Sequence, residues 1–128
     1  MGIVTVGWSE RIVLPGLSQG VFLGKIDTGA FRSALHAQNI LLEHKRVRFQ
    51  LDGSRCELPL LGKRVVTSSC GCVEKRFLVE TVIRIGSYEF KTQFTLTDRS
   101  GHRAKILLGR RSTKDRFLVD PKRRFVLS

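Results

Sequence analysis

The sequence has no apolar run near the ~18 residues that a membrane-spanning helix needs. A membrane partner is therefore not expected. Its opening, MGIVTVGWSERIVLP, has no basic region followed by an apolar block, so a secretory leader is not expected either. Val6 stands where a myristoylation signal has Ser or Thr. A cytoplasmic location is the expectation. Cysteines are few: Cys56, Cys70 and Cys72, an odd number. Cys70 and Cys72 form C-x-C rather than C-x-x-C, His36, His44 and His102 are scattered, and H-E-x-x-H is absent. A structural zinc site needs four ligands at workable spacing, so no metal and no cofactor are expected, and the thiols read as reduced.

Aromatic residues are also few, 8% of the chain with one Trp and one Tyr, and no zinc-finger, RNA-recognition or helix-turn-helix pattern occurs. Acidic residues are scarce: 11 against 23 Lys and Arg, for a net charge of +12. Ten of the basic residues lie within 99–124, with only Asp115 and Asp120 to oppose them. That stretch reads first as a solvated face. It leaves nucleic acid as a lesser alternative partner and offers a field that draws acidic ligands. The chain is 128 residues long and 41% apolar, which fits one domain over 1–128 with its own core.

The organisation is of short strands. Runs rich in Val, Ile, Phe and Thr cover 3–8, 11–14, 21–26, 47–51, 56–60, 63–68, 74–85, 88–96 and 117–119. Turn residues separate them, notably Asp52-Gly53 and Gly86-Ser87, each of which predicts a hairpin. One short helix is expected at 106–112 or 113–116, and a helical turn near 33–38. The pattern points to an all-β barrel or sandwich-like domain.

The segment VFLGKIDTGA places Asp27 at the end of a strand, before a Thr-Gly turn. Gly29 permits a tight loop and close approach of another chain. Thr28 offers a hydroxyl that can lock the loop. Asx turns have the same composition, so the tripeptide gains meaning only from its company. The apolar run Ile106-Leu107-Leu108 ends in Gly109-Arg110 and can pack behind the Asp27 loop. The segment KRVVTSSCGCVEKRFLV reads as two strands around a small polar tip, a hairpin able to cover a cleft.

Together these features resemble the retropepsin-like aspartic peptidases, and most closely a bacterial and archaeal branch. The matching segments are KIDTGAFRSALHA at 25–37, RVVTSSCGCVEKR at 64–76, then TDR at 97–99, LLGR at 107–110 and FLVDP at 117–121. They span nearly the whole chain. That branch is often labelled an ATP-dependent zinc protease and is found near ATP-grasp ligases, yet neither a zinc site nor a phosphate-binding glycine loop is present here.

The resemblance implies a closed retropepsin-like β-barrel, a single lobe with one or two short helices and a hairpin flap. It implies an aspartic endopeptidase, self-processing included, acting on peptide or protein. Asp27 would be the catalytic carboxylate, with Thr28 and Gly29 completing its loop. Ala30, Ser68, Ser69, Cys70 and Gly71 would contact substrate, and Leu107, Leu108, Gly109 and Arg110 would support the loop. Two carboxylates about 3 Å apart must share a proton in such chemistry. One Asp-Thr-Gly per chain therefore implies a two-fold homodimer, or a higher even oligomer, that pairs Asp27 with its copy. Viral members follow Asp-Thr-Gly-Ala with Asp or Ser, whereas Phe31 and Arg32 follow here. A non-catalytic peptide-binding module of the same fold and a basic ribosome- or nucleic-acid-associated protein remain the alternatives.

Overall fold

A computed structural model describes residues 2–68 and 70–128. Twelve strands and one helical turn occur among these residues: β1 (Val4–Gly7), β2 (Ser9–Val13), β3 (Val21–Ile26), β4 (Ala34–His36), β5 (Gln38–Glu43), β6 (Arg46–Leu51), β7 (Ser54–Pro59), β8 (Gly62–Thr67), β9 (Val73–Ile85), β10 (Tyr88–Thr97), β11 (Ile106–Leu108), α1 (Arg110–Thr113) and β12 (Phe117–Asp120).

The main sheet runs β10-β4-β11-β3-β2-β9-β8, and β10 also pairs along β9, so six strands close into a ring with β8 appended to β9. The β9–β10 ladder is long, from Tyr88 opposite Ile85 to Thr95 opposite Leu78. Its seam with β2 is thin, carried by Val13 opposite Arg84. Alternate side chains point into the ring, as strand geometry requires. Ile12, Leu35, Ile83, Ile85, Phe94, Ile106 and Leu108 are fully buried there. The chain is therefore an all-β, retropepsin-like barrel with a projecting β8–β9 hairpin.

Two smaller sheets flank the ring. β5, β6 and β7 form an antiparallel meander. Its β6–β7 turn is Asp52-Gly53, with φ of 45° and 85°. Two successive positive φ values suit the right-handed twist of a two-residue hairpin. β1 pairs parallel with β12, from Val4 opposite Phe117 to Gly7 opposite Asp120. The C-terminal segment then returns to Glu10, whose fully buried carboxylate accepts hydrogen bonds from the N–H groups of Gly7, Val126, Leu127 and Ser128 and from the Ser128 hydroxyl.

Two expectations about helix are corrected. The turn at 33–38 is instead β4, buried along its length and held between β10 and β11. Residues 106–108 are strand β11, and helix is confined to the single turn Arg110–Thr113. Ile-Leu-Leu has no strong preference of its own, and strand neighbours on both sides decide its conformation. No helix among the described residues is long and apolar enough to cross a membrane.

Candidate active site

Asp27 follows the last residue of β3, and its N–H donates to the Leu108 carbonyl at 2.9 Å. The pairing of β11 parallel to β3, Leu107 opposite Lys25 and Leu108 opposite Ile26, thus sets where the carboxylate leaves the sheet. The Gly29 N–H donates to Asp27 Oδ1 at 2.9 Å, closing a tight turn and orienting the carboxylate. Asp27 is half-buried, while Thr28 and Gly29 are exposed.

The LLGR segment braces this loop from behind. The N–H groups of Arg110 and Arg111 donate to the carbonyls of Ala30 and Phe31 at 2.8 and 2.9 Å. Arg110 Nη1 donates to the Thr28 carbonyl at 3.0 Å. The Gly109 N–H donates to Ser33 Oγ at 3.0 Å. Ser112 ties the same region together, sharing hydrogen bonds with the hydroxyls of Ser33 and Thr92. The Asp27 turn therefore rests on a buried hydroxyl cluster and on α1, and it is held at both ends.

The β8–β9 hairpin sets Arg64 directly opposite Arg76, on one face. Arg76 is mostly covered. Its Nη2 donates to Glu74 at 3.2 Å, and its Nε is buried with no acceptor among the described residues. Glu74 in turn accepts from the Thr97 hydroxyl at 3.1 Å, tying the hairpin to the end of β10. Arg99, only 9% exposed, continues from there. Burial, and then the charge of Arg76, lower its pKa, while the Asp27 carboxylate opposes them. Arg32, just after the Asp-Thr-Gly-Ala turn, is likewise lowered, by burial and by the charges of Arg64 and Arg111. Arg99 thus feels the charges of Arg76 and Asp27, and Arg32 those of Arg64 and Arg111.

The structure brings Asp27, Thr28, Gly29, Ala30, Leu107, Leu108, Gly109 and Arg110 into one cluster. Ser68, Cys70 and Gly71 lie on the hairpin tip, all exposed, and Ser69 lies outside the described residues. The arginine group went unread in the sequence. Arg99 belongs to the basic stretch assigned to a solvated face, yet it is packed beside the site. The spacing held one signal: Arg64 and Arg76 are equidistant from Cys70, so a symmetric hairpin must set them opposite one another. His36 is buried, and its Nδ1 accepts the Arg99 N–H at 2.8 Å. It positions backbone rather than substrate. Among the described residues no three His, Cys, Asp or Glu side chains are grouped as metal ligands would be.

A closed β ring with an Asp-Thr-Gly turn braced by an apolar-apolar-Gly strand defines a retropepsin-like protein. The chain matches, over residues 5–128, the model of the RimB-like family, described as retropepsin-like aspartic endopeptidase RimB, and it belongs to that family. Among solved structures, a protein of unknown function (DUF785) from Legionella pneumophila subsp. pneumophila str. Philadelphia 1 is similar, with a TM-score of 0.81 and 27% identity over 99% of this chain and 100% of that one. Curated relatives include a probable alpha-L-glutamate ligase of Shewanella halifaxensis, 31% identical over 95% of this chain, and another of Parasynechococcus marenigrum, 33% identical over 92%. The chain spans only 29% and 28% of those two relatives. Family and relatives alike carry enzyme names, and an enzyme is what they support.

These names correct one expectation. The expectation of an aspartic endopeptidase hydrolysing peptide bonds, self-processing included, is overturned by curated relatives that are named probable glutamate ligases. Motifs around Asp27 report a local scaffold, and a scaffold does not specify which reaction the protein that carries it performs.

Proposed function

We propose that this domain serves glutamate-directed amide chemistry by holding a glutamate-bearing, acidic peptide between the Asp27 loop and the β8–β9 hairpin. Asp27 is the acid–base carboxylate at the reacting amide, which is the aspartic type carried in the family's description. The observation that supports this reading is Arg99, buried within the fields of Asp27 and Arg76, with Arg64 opposite Arg76 on the hairpin and Arg32 in the fields of Arg64 and Arg111.

Like charges placed directly opposite in a sheet are destabilising, and a buried donor without an acceptor costs roughly 1–3 kcal/mol. Glu74 meets Arg76 at Nη2 only, so the facing Arg64 and the unmet Arg76 Nε favour further negative charge from a ligand. Side-chain carboxylates on every residue of a glutamate chain answer that demand, and guanidinium groups bind carboxylates in bidentate fashion.

The assembly is a separate proposal. Thr28 and Phe31 are exposed beside Asp27, Phe31 by 48%, and a two-fold homodimer would cover both. Sedimentation velocity tests it; a monomer at all accessible concentrations rejects it.

The test of function uses a short oligoglutamate peptide and a neutral peptide of equal length, each with wild type and Asp27→Asn. Preferential binding of the acidic peptide by both proteins, with its mass changed by wild type alone, is the expected result. Equal binding of the neutral peptide rejects the reading.

A further inference from the structure

The hairpin tip carries chemistry that the Asp27 site does not use. Cys70 and Cys72 are exposed, and their sulfurs stand 2.8 Å apart across Gly71. The separation is less than about 1 Å longer than a disulfide bond. Gly71 takes φ of +84°, and the turn is pinned by Gly71 N–H to the Ser68 carbonyl and Ser68 N–H to the Cys72 carbonyl, both at 2.9 Å. The Ser68 hydroxyl lies 3.0 Å from Cys70 Sγ. Two thiols are thus held face to face by the backbone geometry of the hairpin tip.

We propose that Cys70 and Cys72 form a reversible dithiol–disulfide site that controls the conformation of the hairpin tip. The co-reactant is a low-molecular-weight disulfide. The Cys70 thiolate attacks one of its sulfurs, forming a mixed disulfide and releasing one small thiol. The Cys72 thiolate then attacks Cys70 Sγ, closing the intramolecular bond and releasing the second small thiol. The protein gives up two electrons and two protons, and the small disulfide is reduced to two thiols.

The electrostatics suit the first step. Its hydrogen bonds with the Cys72 thiol and then with the Ser68 hydroxyl draw the Cys70 thiol down to about 7, and the thiolate is the nucleophile in such exchange. Cys56 is the internal contrast: it is buried, and burial pushes its thiol up. A bond spanning one residue closes a small, strained ring, and strained, exposed disulfides are the readily reduced ones. Oxidation therefore stiffens the tip reversibly rather than locking it.

The effect on ligand rests on the proposed peptide site, whereas the chemistry does not, so the experiment separates them. The protein is treated with oxidised glutathione, then with reduced glutathione. Intact-mass analysis, hydrogen exchange of the hairpin and oligoglutamate binding are read at each stage. Expected are a loss of two hydrogens at Cys70 and Cys72 with Cys56 untouched, slower exchange at the tip, affinity weakened at least about fivefold, and full reversal.

Cys72→Ser should stop at the mixed disulfide on Cys70. Absence of the intramolecular bond, or its formation with exchange at the tip and peptide affinity both unmoved, overturns the proposal. If neither redox form binds the peptide while the bond forms and the tip stiffens, the dithiol site stands and the peptide reading fails.

Discussion

Gly109 lies directly against the Arg32 backbone: a Cβ built there would sit 2.6 Å from the Arg32 carbonyl oxygen and 2.7 Å from that of Phe31. The contact joins the two motifs that flank Asp27, and backbone on both sides leaves nothing flexible to yield. Gly109→Ala is expected to cost about 1–3 kcal/mol through overpacking. In urea the midpoint should fall with the slope unchanged. Wild-type stability in that variant would mean that the brace is not rigid.

Glu10 should be the most costly single carboxylate to remove. Burial raises its pKa, but hydrogen bonds from Gly7 N–H and from the Ser128 hydroxyl and N–H, with Val126, outweigh it and leave the pKa lowered. A lowered carboxylate stabilises the fold above its unfolded value of about 4.3 and loses that contribution as pH falls through the folded value. Glu10→Gln should therefore cost roughly 2–4 kcal/mol at neutral pH. It should also flatten the acid limb of the stability curve and speed hydrogen exchange at 126–128. Unchanged exchange there would show that the tail is held by other contacts.

His36 should add a second pH-dependent component of opposite charge type. Burial first, then the charge of Lys105, lower its pKa, and its Nδ1 must be unprotonated to accept the Arg99 N–H. The unfolded state, titrating at about 6.5, then binds a proton before the folded state does. Stability attributable to His36 is complete above that value and declines as pH drops below it, until the folded value is passed. Thermal unfolding from pH 8 to 5 should show this slope in wild type and lose it in His36→Gln.

The arginine group makes a prediction about salt. Arg64 is only partly covered and sits on the hairpin, so Arg64→Glu should fold normally. It should weaken oligoglutamate binding by about tenfold or more at low ionic strength, with a smaller difference at high salt as screening grows. Neutral peptide should show neither effect.

Much of the scaffold was legible in the sequence. Residues 21–26 form a strand with the expected bounds, and Asp52-Gly53 and Gly86-Ser87 turn the expected hairpins, because alternating apolar residues and turn chemistry are local signals. β4, β5 and β11 were not legible. Ala34-Leu35-His36 and Ile106-Leu107-Leu108 become strands because each lies between two others. β5 is exposed along its length, so no buried face marks it in the sequence. The Asp27 turn and its Gly109 brace could be read because both are contiguous motifs. The buried setting of Arg99 could not, because Arg76 and Arg99 are far apart in the chain and come near one another only where the β8–β9 hairpin meets the end of β10.

The most direct measurement is oligoglutamate binding and conversion by wild type and Asp27→Asn, followed together by fluorescence anisotropy and mass spectrometry. Comparable affinity in both, strong preference over the neutral peptide, and conversion confined to wild type are the predicted results. Conversion that survives Asp27→Asn, or affinity indifferent to the peptide's charge, would contradict the central claim.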